Sequence, residues 1–499
     1  MKGCIACGHP QTAEAGQWAF SQGGNAFDAA IAAFWAACVA EPALASPGGG
    51  GFLLAASPDW DARLYDFFVH TPQRKRQIPE QSFFPIQGNF GKVTQTFHIG
   101  AGAVATPGAV RGIFAVQRDM ANLPMKVLVQ PALDLARNGV VVNAHQAYVF
   151  QIIQPIFQAT SSVRALFRSP QSENDVLQRG DRFHNPELAD FLEVLAREGE
   201  RLFYEGEVAD LVAAACESGF VQKSDLLGYR CVERNPLEWS YHHKTLLSNP
   251  VPSSGGSLVR FGLQLLQQAY EKATLNLGFL AEVFAATESR RNLIAQRPEG
   301  LDALEVQRYY DAVCLRARAY RGTTQISAAD QEGNLASLTV SNGEGCGFLV
   351  PKCGFMLNNM LGEEDLNPGG WHRWPVDQRM TSMMAPSMLI EKDRQIVLGS
   401  GGSNRIRTAL VQVLAHLLFD ATDLKTAVQA PRIHVEAGKL DAEPDFKPRD
   451  LQALLAKWPN HHVWDDHNLF FGGVHAVERC GRKLSGIGDP RRGGSCLVG

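Results

Sequence analysis

With 499 residues, 45% apolar and 20% charged, the chain has the make-up of an ordinary globular protein, long enough for one large layered domain or two lobes. A formal net charge of -4 excludes any general attraction for nucleic acid or anionic membrane, and the short Arg74-Lys75-Arg76 cluster reads as a solvated loop. The ten cysteines are scattered, mostly in apolar runs, as expected of reduced core thiols in a cytoplasmic protein.

The N-terminal stretch Met1 to Cys7 lacks the charged-then-apolar build of a secretory signal, so export is not expected. Cys4-x-x-Cys7 has no second pair or spaced histidines, and reads as structural within a first strand. A helix is predicted over 12–22, stopping at Gly23-Gly24. Asn25 can then cap an alanine-rich helix over 26–40, which contains Asp28 and falls short of the about 20 residues a bilayer span needs. The run Gly48 to Gly51 followed by Phe52 to Ala56 reads as a loop entering a strand, with glycines that let backbone approach closely.

From about 106 to 216 the apolar spacing is mostly helical, as in Val127, Leu128, Pro131, Ala132, Leu135 and Ala136, with a polar, irregular stretch over 157–181. Helices are predicted again over 257–272 and 279–296. The character changes at Gly322: residues 324–349 alternate and favour strand, with Gln331-Glu332-Gly333 as a turn, and later strands are expected at 388–390 and 396–398.

The hairpin made by that turn carries the first chemical signal. If it is centred on Glu332, Thr323 faces Ser341 across the ladder, so two hydroxyls meet at its open end. A slip of one residue would instead oppose Thr323 to Val340 or Asn342. Downstream, Gly399-Ser400-Gly401-Gly402-Ser403-Asn404 lies between a strand and a helix over 406–419, with Ser403 or Asn404 as cap. Bare backbone N–H groups at a helix start can hold an oxyanion, although most Gly-Gly pairs there are simple turns.

These residues, with others in the same order, resemble the gamma-glutamyltransferases (gamma-glutamyltranspeptidases) of the N-terminal nucleophile hydrolase superfamily. The resemblance spans nearly the whole chain: His9-Pro10, Gly23-Gly24-Asn25-Ala26, Glu41-Pro42, Gly48 to Gly51, Pro107-Gly108, Gln130-Pro131-Ala132, Pro252-Ser253-Ser254-Gly255-Gly256, Gly322-Thr323-Thr324, Asp330-x-x-Gly333-Asn334, Leu357-Asn358-Asn359, Gly401-Gly402-Ser403 and Asp489-Pro490-Arg491-Arg492. It implies an α/β fold, a four-layer alpha-beta-beta-alpha sandwich made as a proenzyme. Thr323 would attack the carbonyl of Gly322, leaving a large subunit (residues 1–322) and a small subunit (residues 323–499) held as a heterodimer, with further dimerisation left open. The new terminal α-amine, with a pKa near about 8, could then take the hydroxyl proton during catalysis. Ser341 matches the supporting hydroxyl and Gly401-Gly402 the oxyanion hole. No metal or organic cofactor is implied, and the partner is a small amide, glutathione-like or another gamma-glutamyl or acyl amide.

The resemblance weakens at the substrate. The family's carboxylate-binding arginine corresponds to Phe68, whose ring cannot form a charge-assisted pair, and Arg379, Arg405 and Arg407 are the candidate replacements. The glutamine that holds the substrate amine corresponds to Met360, with Glu363 keeping a negative charge. The serine pair corresponds to Thr381-Ser382, and Asn342 matches a substrate-contacting asparagine. Trp371 and Trp374 are candidate pocket walls in a stretch, 367–375, that could equally be a packed surface loop. Three readings follow: a gamma-glutamyl amidase, a hydrolase of another small amide such as an oxamate-like or cephalosporin-side-chain acyl group, or an unprocessed binding relative.

Overall fold

A computed structural model describes residues 2–89, 94–172, 174–273, 275–294, 322–367 and 369–499. Strand β1 (Gly3–Cys7) leads into helix α1 (Pro10–Ser21), where His9 caps the first turn by accepting from the Gln11 N–H at 3.2 Å. Helix α2 (Ala26–Ala40) opens with a reciprocal box: the Asn25 side chain accepts from the N–H groups of Phe27 and Asp28, while Asp28 accepts from that of Asn25. Every residue of α2 is buried, which its small alanines allow on all sides. The hairpin of β2 (Gly50–Ser57) and β3 (Trp60–Phe67) follows. The strand starts at Gly50, two residues before the predicted Phe52, since Gly50 and Gly51 already pair in the ladder, where a Cβ would press on the Phe67 or Thr339 carbonyl.

Helices occupy much of 109–215, as expected, including Ala109–Met120 and Pro186–Glu198. The stretch read as irregular holds helix Ser161–Phe167, because Phe157 and Phe167 stack at 3.9 Å and draw a polar sequence into the core. Next come β4 (Val232–Arg234), β5 (Leu237–Tyr241), β6 (Lys244–Ser248) and helices α3 (Gly255–Glu271) and α4 (Leu277–Ile294); the predicted end of α4 at 296 lies outside the described residues. The elements after Gly322 that build the two large sheets and cover them are β7 (Thr324–Asp330), β8 (Leu335–Ser341), β9 (Ser387–Ile390), β10 (Arg394–Gly401), α5 (Arg405–Leu418), β11 (Gly473–Cys480), β12 (Lys483–Ile487) and β13 (Ser495–Val498). Strand character predicted to run on to 349 stops at Ser341, since Gly343, Gly345 and Gly347 all take positive φ.

These strands form the two large sheets, both antiparallel, in the orders β13-β1-β7-β8-β2-β3-β4 and β12-β11-β10-β9-β6-β5; three smaller sheets lie apart from them among the described residues. Alternation along the central hairpin sorts its side chains. Ile326, Ala328, Leu338 and Val340 join the core built around α2. Gln325, Ser327, Ser337 and Thr339 face the second sheet instead. There Thr339 Oγ1 donates to Gln325 Oε1 (2.5 Å), the Gln325 side-chain amide donates to Ser327 and Ser337, and those hydroxyls donate to the backbone carbonyls of His475 and Leu398. A buried polar seam whose members satisfy one another holds the sheets in one register.

Cys4 and Cys7 point to opposite faces of β1 and enter different cores, so they do not converge as ligands. Among the described residues no helix is long and apolar enough to cross a membrane, and no cluster could hold a metal ion. The Arg74-Lys75-Arg76 segment is exposed but not idle: Arg76 donates to the carbonyls of Cys216, Glu217 and Gly219, and Lys75 lies over the Trp374 ring.

Candidate active site

The ladder pairs Thr324 with Val340, Gln325 with Thr339 and Ile326 with Leu338, so Thr323 stands opposite Ser341 at the end of the hairpin, as the turn position predicted. By the same alternation Thr323 shares the inter-sheet face, where β10 ends at Gly401. Thr324 shares the opposite face, where α2 ends.

Gly322 is gripped at both ends. Its carbonyl accepts from Ser341 Oγ at 2.7 Å and its N–H donates to Glu344 Oε1 at 2.8 Å. Ser341 Oγ in turn accepts from the Gly343 N–H at 3.0 Å, which aims its proton at the Gly322 carbonyl. The next carbonyl, that of Thr323, accepts from Arg492 Nη1 at 3.4 Å and lies so close to Gly401 that a Cβ there would overlap it. At Gly402 φ is +120°, and a Cβ would crowd Arg492 Nη2 and Gly472. Glycine is thus required at both positions for a physical reason.

Beneath the hairpin, the buried Glu41 carboxylate accepts from Thr324 Oγ1 (2.8 Å) and Thr12 Oγ1 (2.9 Å). Burial raises its pKa, the two hydroxyls and the Arg492 charge acting against that rise. Burial also lowers Arg492 to about 10, with the Arg405 charge adding to the effect and Asp489 and Glu41 opposing it.

Thr323 and Ser341 open into a pocket. Phe68, Met360, Leu366, Met383, Met384 and Ile406 form its apolar wall, and Glu363, Ser382 and Ser403 its polar contribution. Phe68 sits where the resemblance put the clamp position, stacked on Phe52 at 5.4 Å. None of the candidate replacement arginines lines this pocket. Arg379 is paired with Asp66 and donates to Tyr229 and to the Phe68 carbonyl. Arg405 donates to the Phe470 carbonyl, and Arg407 to Phe284, Thr287 and Val435.

The other expected contacts are divided. Met360, Glu363 and Ser382 line the pocket. Asn342 is fully buried with its amide directed at the carbonyls of Met356 and Leu357, and neither it nor Thr381 belongs to the lining. Trp371 packs on Phe83 and His98, and Trp374 on Phe220, outside the lining. The cap expected at Ser403 or Asn404 falls at Asn404 by position only. Its amide donates to Glu436 and Ser403 Oγ donates to Asp365 at 2.8 Å, but neither side chain accepts from a helix N–H: Asn404 already has helical dihedrals (φ -58°, ψ -24°) and Ser403 a positive φ, not the extended backbone a capping side chain needs.

Sequence reasoning gave no role to Glu41, Glu344 or Arg492. Two of them lie inside motifs that carry the family resemblance, Glu41-Pro42 and Asp489-Pro490-Arg491-Arg492, which was the available signal; Glu344 had none.

The fold and site together define a mixed α/β protein whose hairpin presents Thr323, with Ser341 opposite, to an inter-sheet pocket. The family model of the gamma-glutamyltranspeptidases matches residues 12–303 and 285–499, and the chain belongs to that family. It is 27% identical to the glutathione hydrolase proenzyme of Escherichia coli strain K12, over 91% of this chain and 85% of that protein. It is 28% identical to the acylase ACY 1 proenzyme of Pseudomonas sp. strain V22, over 95% of this chain and 89% of that protein. The crystal structure of cephalosporin acylase from Bacillus halodurans superposes with a TM-score of 0.81 at 22% identity, covering 99% of this chain and 95% of the other, a likeness of fold.

Proposed function

We propose that the chain is a proenzyme that cuts itself between Gly322 and Thr323 and then acts as an N-terminal threonine amidohydrolase or acyltransferase. The observation that carries this reading is the grip on Gly322: a hydroxyl 2.7 Å from the carbonyl next to a threonine that opens into a pocket. In the cutting step Thr323 Oγ adds to the Gly322 carbonyl, with Ser341 Oγ–H polarising the oxygen. Collapse breaks the C–N bond and moves the acyl group from nitrogen to oxygen. Water hydrolyses the resulting ester, releasing the Gly322 carboxylate and a free Thr323 α-amine.

In turnover that amine accepts the Thr323 hydroxyl proton as Oγ attacks the substrate carbonyl. The turn at Gly401-Gly402 holds the oxyanion, a role in which one donor is worth roughly 3 kcal/mol. The proton passes to the departing amine, and water or a second amine then takes the acyl group from the Thr323 ester. Residues 1–322 and 323–499 remain together as a heterodimer. The contacts of α1 and α2 with one sheet, and of α5 with the other, support the four-layer alpha-beta-beta-alpha sandwich of this class. The buried thiols, free among the described residues, support a cytoplasmic location.

The substrate is a gamma-glutamyl or similar acyl amide, and relatives that are a glutathione hydrolase and an acylase support both branches. One observation favours the second: the acyl wall is apolar and carries Glu363 but, among the described residues, no cation, so a free carboxylate on the acyl group would go uncompensated. Intact mass spectrometry of wild type beside Thr323→Ala tests the proposal. Two fragments beginning at Met1 and Thr323, with the variant uncut at 54.5 kDa, are expected. A wild type that stays whole after prolonged incubation refutes it in favour of an inactive, binding relative.

A further inference from the structure

Two charges flank the peptide bond at the site, and the mechanism above uses neither. Arg492 is buried and holds the Thr323 carbonyl oxygen at 3.4 Å from one side. Glu344 is buried and holds the Gly322 N–H at 2.8 Å from the other. Atoms of neighbouring backbone groups lie at most ~3.6 Å apart, so both charges fall within about 7 Å of the Thr323 nitrogen. Once the chain is cut, that nitrogen is the terminal amine.

We propose that Arg492 and Glu344 are positioning residues that act through the Thr323 α-amine in opposite directions: the guanidinium favours its neutral, proton-accepting form, and the carboxylate its charged form. This rests on the self-cutting reading above. A charge at such a distance in a partly desolvated site moves a proton equilibrium by on the order of one pH unit, a cation downward and an anion upward for an amine. The balance places the base near neutrality, where a general base works best.

The Arg492 field already acts on neighbouring bases. His145 is held at about 3, chiefly by burial and next by Arg492. The other charges around the amine leave the two signs unchanged: the Gly322 carboxylate that the cut releases is one further anion acting in the same direction as Glu344. Glu41 reaches it only through Thr324 and is committed to two hydroxyls, and Glu363 lies along the pocket wall. Asp489 and Arg405 act on Arg492 itself.

The geometry also explains why two glycines end β10. Gly401 and Gly402 leave the room that the guanidinium and the Thr323 carbonyl occupy, so the turn that holds the oxyanion and the cation that tunes the base are packed as one unit.

The test is the pH profile of kcat/KM for the cut enzymes, with any acyl p-nitroanilide that wild type hydrolyses. Arg492→Gln is expected to move the ascending limb up by about one pH unit, giving a roughly tenfold slower reaction below it; Glu344→Gln is expected to move it down by a similar amount. Arg492→Lys should return it towards wild type. A merely structural role would lower the whole profile without moving its midpoint. Limbs that superimpose on wild type overturn the proposal while leaving self-cutting intact. If Arg492→Gln is not cut, Glu344→Gln decides alone. If neither is cut, the two residues act in the cutting step rather than through the amine, and the proposal falls. An uncut wild type removes both readings together.

Discussion

The two ends of the pocket are built on different physical terms. At the Thr323 end, every group is tied to backbone: Ser341 to the Gly322 carbonyl, Glu344 to its N–H, Arg492 to the Thr323 carbonyl, and Gly401 by sheer proximity. At the far end most of the wall is Phe68 and the side chains of Met360, Met383, Met384, Leu366 and Ile406, which fill space, with Glu363, Ser382 and Ser403 as its polar groups. Geometry at the first end leaves little freedom for sequence change, whereas the second can be repacked at modest cost. One fold can therefore keep its bond-making machinery while changing what it accepts.

The sharpest way to break that comparison is Gly401→Ala. The added methyl must displace the Thr323 carbonyl, so we expect complete loss of chain cutting on a denaturing gel; a cut, active variant would show the nucleophile end to be as soft as the wall. Ser341→Ala removes one donor to the Gly322 carbonyl and should slow cutting by about 10²–10³-fold, read from the time course of fragment appearance.

Acid sensitivity belongs to the rigid end as well. His475 and His9 are each lowered from 6.5 to about 4, mainly by burial. Because the unfolded chain takes up these protons first, the stability they contribute is whole above 6.5 and is lost as pH falls towards 4, by about 2 kcal/mol per histidine at about pH 5. Thermal melts across that window should show the drop, and His475→Gln should flatten it. The smallest effect is expected at the wall. Phe68→Leu should cost roughly 1 kcal/mol in stability, leave cutting unchanged, and alter only the ranking of acyl substrates in kcat/KM. Equal loss for all substrates would mean that the wall takes part in the chemistry.

The hairpin register was legible because a turn of known length counts residues along both strands, and the Asn25 cap because its partner is three residues away. The role of Glu41 was not: its partner Thr324 is 283 positions distant, and only the folded sheet brings α2 beneath β7. The strand reading beyond Ser341 failed because alternation persists in sequence where three glycines with positive φ turn the chain away. At Ser403 and Asn404 the helix start was legible but the side-chain cap was not, because backbone dihedrals set by the tight Gly401-Gly402 turn, a positive φ at Ser403 and a helical pair at Asn404, leave neither side chain placed to accept from the helix. The gap between the two main sheets was hard to foresee, since its seam is made of Gln, Ser and Thr, residues that look like exposed faces in a strand.

The strand order has a consequence for what a cut would produce. Along the first sheet the strands from before Gly322 are β1, β2, β3 and β4, and those from after it are β13, β7 and β8, in the order β13-β1-β7-β8-β2-β3-β4. β1 is thus clasped between two strands of the later segment, and the second sheet likewise joins β5 and β6 to strands from beyond residue 386. Neither product owns either of the two large sheets outright. Severing one peptide bond would leave two chains as entangled as laced fingers, which could separate only by giving up their secondary structure, so exchange of fragments between molecules should be as slow as unfolding itself.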